Sequence, residues 1–275
     1  MPTELREEAT SEPQILLLPA LSSISTREEM APLARQLGHA FDARPVDWPG
    51  FGTGPRTLVN WTPDILSEFL RDTVDRAKPK AIVAAGHAAA YAVYAAASGA
   101  IAADCLVLVA PTWRGPLPTM MGGRRPWFAR IVSALDSKVF GRLLYRLNVS
   151  DWVIRKMARE HVYSDPSWLA GSRLQSKIAV TRGRGARHSS VRFVTGTLDR
   201  YASRDAFLRD LAKVKCPVLI VYGEETPRRS RAEMEAMSQL PGVTPRILPR
   251  GKLAVHEEFA DDVALEVRRF LDANV

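Results

Sequence analysis

The sequence predicts an α/β protein with a mostly parallel central sheet flanked by helices. Three observations carry that expectation. Short apolar runs at Ile15–Leu18, Ala81–Ala85, Cys105–Ala110 and Pro217–Gly223 alternate with helical stretches at Glu28–Leu37, Pro63–Ala77 and Ala88–Ala97, the pattern of βαβ units. The run Ala81-Ile-Val-Ala-Ala-Gly86-His87-Ala88 passes from strand to helix through a single glycine, which marks a sharp turn. Between Pro111 and Arg200 the alternation stops, and aromatic and basic residues at helical spacing take its place, as in an inserted helical layer.

Length and composition set bounds. A chain of 275 residues with 46% hydrophobic content can bury one large core and carry a lid. Its apolar runs fall well short of the ~20 residues that a membrane-spanning helix needs. Residues 1–13 are polar and acidic, which predicts a disordered tail without a secretory or transit signal and a cytoplasmic protein. Two cysteines, Cys105 and Cys216, suit a reducing compartment and no disulfide framework. The five histidines are scattered, so no metal site is expected. Neither G-x-G-x-x-G nor G-x-x-x-x-G-K-[ST] occurs between strand and helix, so no cofactor is expected either.

Five landmarks follow in order. Pro19-Ala20-Leu21 leaves the first strand, and Asp47-Trp48-Pro49-Gly50-Phe51-Gly52-Thr53-Gly54 forms a glycine-rich turn. Gly86-His87-Ala88-Ala89-Ala90 follows the strand at 81–85, and the strand at 105–110 comes next. After the insertion and the strand ending at Gly223 comes Gly251-Lys252-Leu253-Ala254-Val255-His256-Glu257-Glu258. In this order and spacing they resemble the α/β-hydrolase superfamily over residues 14–112 and 206–275. The implied architecture is an α/β-hydrolase fold with residues 113–205 as a helical, basic cap. Pro19–Met30, Ala110–Met121 and Gly223–Ser230 are further similar to a branch found in cyanobacteria and plastids, which implies a photosynthetic organism and an Ala at the elbow as a branch feature.

The resemblance assigns roles residue by residue. It puts Ala88 where the family's G-x-S-x-G elbow carries its serine, so the serine nucleophile is expected to be lacking. His256 takes the base position. Thr226 stands in the slot of the acid, with Glu225 beside it as the substitute and Glu224 as the poorer alternative. Leu21 and Ala89 would supply oxyanion N–H groups, Trp113 and Arg114 would line the cap side, and His87 would pack beside the turn. Two functions follow. The first is a non-hydrolytic binding or accessory protein with a capped apolar pocket for a small apolar or amphiphilic ligand. The alternative is a non-serine enzyme (a lyase, a cofactor-free oxygenase or a hydrolase) with His256 as general base held by Glu225.

Charge singles out the insertion. Residues 113–192 hold sixteen Lys and Arg against four Asp and Glu, while the whole chain nets +8. Within it, Trp127–Ile131, Val139–Leu147 and Trp152–Ala158 have amphipathic spacing. A packed stripe over the core is the plain reading of these helices, and a solvated basic face that of the charge. The functional reading is an anionic membrane surface or an acidic protein as partner, which would make the protein peripheral to a membrane. Nucleic acid is disfavoured because no recognised binding module is present.

Overall fold

A computed structural model describes residues 14–38, 40–53, 56–57, 59–137 and 140–275; the expected disordered tail, residues 1–13, lies outside them. Six parallel strands form one sheet in the order β2-β1-β3-β4-β5-β6. They are β1 (Ile15–Leu18), β2 (Ala43–Pro45), β3 (Ala81–Ala85), β4 (Cys105–Val109), β5 (Val218–Gly223) and β6 (Val243–Leu248). The four central strands β1, β3, β4 and β5 are buried along their whole length. That is why they read as unbroken apolar runs: helices cover both faces of the sheet.

The edges were invisible to the sequence reading. β2 is three residues long and β6 is buried only at Leu248, so neither carries a buried apolar run. Each also holds a proline, Pro45 and Pro245. The N–H of Val46 bonds Leu17 O (3.1 Å) and that of Glu224 bonds Leu248 O (2.9 Å). By alternation both prolines face away from the sheet, where a missing N–H costs no ladder bond.

Helices α1 (Ala31–Leu37) and α13 (Ala260–Asn274) pack together, and α2 (Pro63–Ala77) packs on α3 (Ala88–Ala97). Thr62 caps α2 by accepting from Ile65 N (3.4 Å), with Pro63 at the first helical position. In α3 the run AAAYAVYAAA is buried nearly all round, which suits a helix lying close on the sheet behind β3.

Between β4 and β5 lie α4 (Pro116–Met120), α5 (Phe128–Asp136), α6 (Gly141–Asn148), α7 (Asp151–Met157), a π turn (Ala158–Val162), α8 (Gly171–Arg182) and α9 (Ala186–Val194), then α10 (Arg204–Leu211), which returns to the sheet. Three of these helices fall where helical spacing was read. The last elements are α11 (Arg228–Met237), a short α12 (Val255–Glu258) and α13.

The strand order reverses between β1 and β3, so the loops leaving these two strands flank the crevice where open α/β sheets bind ligands. At the end of β5 the backbone of Arg250 and Gly251 presses on Gly223, and a Cβ there would collide with both carbonyl oxygens. Gly223→Ala should therefore destabilise the fold by about 2–3 kcal/mol through forced backbone movement. Gly99→Ala, at φ +70° but with nothing within 4 Å, should cost about 1 kcal/mol. Urea midpoints of the two variants check this, and equal midpoints would contradict the close approach.

Candidate functional site at the β1–β3 crevice

A nucleophile elbow needs one residue in the left-handed region between strand and helix, lifting its side chain over the sheet. Here that residue is Gly86, at φ +51°. His87 already has helical angles and Ala88 is the first residue of α3, fully buried. The turn's apex thus falls two residues before the position that motif spacing assigned to it. Spacing misplaced it because three successive alanines hide where the helix begins. A Cβ on Gly86 would lie 2.9 Å from the Cβ of Ala20, so the loop after β1 leans directly on the apex.

That loop is fixed from both sides. Trp48 donates its indole N–H to Pro19 O (3.0 Å), and Asp47 accepts from Arg27 N (2.7 Å) and Thr53 N (3.3 Å). The glycine-rich turn is therefore a structural brace. Of the two expected oxyanion donors, Ala89 N already bonds Gly86 O (3.2 Å), and Leu21 is buried.

Around the loop sits a buried charge cluster. Glu29, in the 3-10 turn Arg27–Met30, accepts the N–H of Ala20 at Oε1 (2.9 Å) and lies 3.3 Å from Lys177 Nζ at Oε2. Lys177, from α8, also reaches Glu257 Oε2 (3.1 Å), which accepts the hydroxyl of Tyr163 (2.7 Å). Burial alone would raise the Glu29 carboxyl; Lys177 and His256 reverse this and hold it down at about 2. Burial would likewise lower the Lys177 ammonium, but Glu29 and Glu257 push it above its ordinary value. The pair is charged and locked.

His256 lies on α12, buried, with Nε2 3.5 Å from Glu29 Oε1. That gap is beyond a good hydrogen bond, and neither ring nitrogen has a partner among the described residues. The carboxylate facing His256 is thus Glu29. Glu225, expected there, is exposed and lies 3.4 Å from Gly251 N. The loop after β5 carries it outward, while the 3-10 turn after β1 brings a carboxylate in from the other side. Glu224 is exposed as well, and Thr226 is buried with its hydroxyl unpartnered among the described residues.

Trp113 and Arg114 both turn to α11. The Trp113 indole donates to Glu233 Oε2 (3.0 Å), and Arg114 lies 3.6 Å from Glu233 Oε1. Leu21, Ala88, Trp113 and His256 are all buried. Two cavities, of about 290 Å³ within the insertion and about 380 Å³ between α2 and α3, lie away from these residues.

A second buried pair lies just past the apex. His87 Nε2 is 3.5 Å from Asp199 Oδ1 and from Leu198 O, and its ring meets the edges of Phe193 and Tyr91. Burial lowers His87 to about 4 and raises Asp199 to about 7, although Gly115 N donates to Asp199 (2.7 Å). Both groups are driven toward their neutral forms, so the contact is no ion pair at neutral pH.

Sequence reading missed Glu29, Lys177, Tyr163, Glu257 and Asp199. One signal was available: in Leu174-x-x-Lys177-Ile178-x-x-Thr181 the lysine occupies the buried stripe of an amphipathic helix.

The model of the alpha/beta hydrolase family matches residues 15–267, and the chain belongs to that family. Solved structures agree on the fold. MenH from S. aureus matches with a TM-score of 0.70 at 17% identity, over 95% of this chain and 94% of that one. The enol-lactonase from Burkholderia xenovorans LB400 matches with a TM-score of 0.69 at 18% identity, over 96% and 94%. A thermophilic esterase from Thermogutta terrifontis matches with a TM-score of 0.67 at 16% identity, over 94% and 89%. No curated protein matches the sequence.

Two outcomes follow from the buried groups. Lys177→Met strands the Glu29 and Glu257 charges and should cost about 3–5 kcal/mol, most of it recovered when both are also changed to Gln. The wild type should lose stability as pH falls from 4.5 toward 2, since Glu29 is held below its unfolded value. In Lys177→Met, burial of Glu29 is no longer opposed by the ammonium, so acidification should stabilise instead. Denaturant titrations across this range decide it, and parallel profiles for the two proteins would refute the assignment.

His87 and Asp199 act oppositely. A depressed His87 makes stability fall as pH drops from 6.5 to 4, whereas a raised Asp199 makes it fall as pH climbs from 3.8 to 7. Each alone would be worth about 3–4 kcal/mol, and together they nearly cancel. Asp199→Asn should therefore uncover a loss of stability toward acid, and His87→Gln a loss toward neutral pH. Melting temperatures measured at both ends of the window test the pairing; unchanged slopes would exclude it.

Proposed function

We propose that this α/β-hydrolase-family protein lacks the serine nucleophile and works as a non-hydrolytic binding or accessory protein, with the insertion over the sheet as its cap. The observation that carries this reading is the turn itself. Gly86, at the left-handed apex, has no side chain, and Ala20 fills the space into which one would project. Neither His87 nor Ala88, the next residues, supplies a hydroxyl. Covalent acyl transfer needs an oxygen or sulfur nucleophile beside a base. The buried Lys177–Glu29–Glu257 cluster also supports it, because it joins the insertion to the loop after β1 where a substrate's carbonyl would otherwise approach. The ligand class we propose is small and apolar or amphiphilic.

A second reading is favoured by one observation, the buried His256 imidazole 3.5 Å from a carboxylate with neither nitrogen hydrogen-bonded among the described residues. A base so placed could move a proton without a covalent step, as a lyase or a cofactor-free oxygenase requires. His256→Gln would then abolish turnover while leaving the fold intact. The same substitution in a binding protein would change ligand affinity only modestly.

The purified protein should be inert to fluorophosphonate probes and to simple esters. Gly86→Ser and Ala88→Ser should both remain inactive, the first because its side chain meets Ala20 and the second because it lies within α3. Stoichiometric labelling of the wild type at Ser22, Ser23 or Ser25 would reveal a nucleophile on the loop after β1 and sink the proposal.

A further inference from the structure

The geometry points to a membrane-docking face on the insertion, built to lie on an anionic bilayer; it stands whether or not the elbow is catalytic. Helix α6 is two-faced. Tyr145 anchors one side in a small core with Leu135, Ala186 and Val191. On the other side Phe140, Leu143 and Leu147 are 66%, 61% and 61% exposed, and Leu144 stands between them. Spacings of three and four put these four on one stripe. Arg142 and Arg146, one turn apart and exposed, border it.

Beyond the helix, Trp152 is 69% exposed and Lys156 Nζ lies 5.4 Å from its ring centre. Trp152, Arg155, Lys156 and Arg159 line the groove of about 290 Å³. Asp165, its acidic neighbour, is committed to Ser167 at 2.7 and 2.8 Å. A contiguous exposed apolar stripe of this kind marks an interaction surface.

Charge decides which partner. Residues 140–182 carry eight Lys and Arg against three Asp and Glu. A second copy of the chain would bring the same cations against themselves. An anionic bilayer accepts both features at once, with Phe140, Leu143, Leu147 and Trp152 entering the headgroup boundary and the cations meeting lipid phosphates, the physics of an interfacial amphipathic helix. No helix among the described residues is long and apolar enough to cross a membrane, so attachment through this face would be peripheral.

Flotation of the full chain with vesicles of phosphatidylcholine, with and without phosphatidylglycerol, tests this at low and high salt. We expect recovery with anionic vesicles at least about tenfold above neutral ones, falling with salt, and a blue shift of tryptophan emission that Trp152→Phe removes. Leu143→Glu with Leu147→Glu, and separately Arg142→Ala with Arg146→Ala, should each lower recovery severalfold; both pairs are exposed, so the fold should hold, as circular dichroism would verify. Equal recovery with both vesicle types, or anionic recovery untouched by the leucine changes, would overturn the proposal. So would capture by polyglutamate without vesicle binding, which would identify an acidic polypeptide as the partner, or dimers at low salt that dissociate on the leucine changes.

Discussion

Lys177 is the charged centre of the seam between the insertion and the sheet. An insertion of six helices leaves and re-enters the sheet, and nothing in chain connectivity forces α8 against the loop after β1. Lys177 does so by facing Glu29 on that loop's 3-10 turn and Glu257 on α12, alongside the apolar packing of Leu174 and Ile178 with Ile24 and Ala254. Removing three charges from water is costly, and such clusters add little net stability over a well-packed apolar substitute. Their geometry is far more selective than apolar contact, however, because only one placement of α8 satisfies both carboxylates. α12 reinforces the seam from its other residues, with Glu258 accepting from Ser164 N (2.8 Å) and Asp165 N (2.6 Å) and Ala254 N bonding Val162 O (3.0 Å).

The segment at 251–258 also has a structural job: α12 clamps the insertion and sets His256 against Glu29. At the elbow, the glycine apex allows Ala20 to approach closely. The family's backbone scaffold persists, with the Lys177–Glu29–Glu257 cluster buried beside the crevice between β1 and β3. Similarity to enzymes at 18% identity or less carries the scaffold and leaves the chemistry to the residues.

Much of this was legible in sequence. The four buried central strands, α2, α3 and three of the inserted helices declared themselves through apolar runs and helical spacing. The edge strands β2 and β6 did not, because a strand exposed on one side and broken by proline has no apolar run to show. Motif order located the crevice, but local spacing could not locate the apex, since Ala88 to Ala90 look alike whether they turn or coil. Partners from distant segments were the least legible. Nothing in Glu28-Glu29 indicates which carboxylate turns inward, and pairing His256 with Glu29 spans 227 residues.

The two outward-facing prolines have a consequence for assembly. A sheet open at both edges normally offers a template on which another strand can add, whether from a second copy, a peptide or a misfolded neighbour. Pro45, at the end of β2, and Pro245, within β6, each withhold one outward donor from that template, on strands only three and six residues long. One outward donor is missing from each flank, so a strand adding at either edge would meet a broken ladder, which makes the edges a poorer surface for assembly.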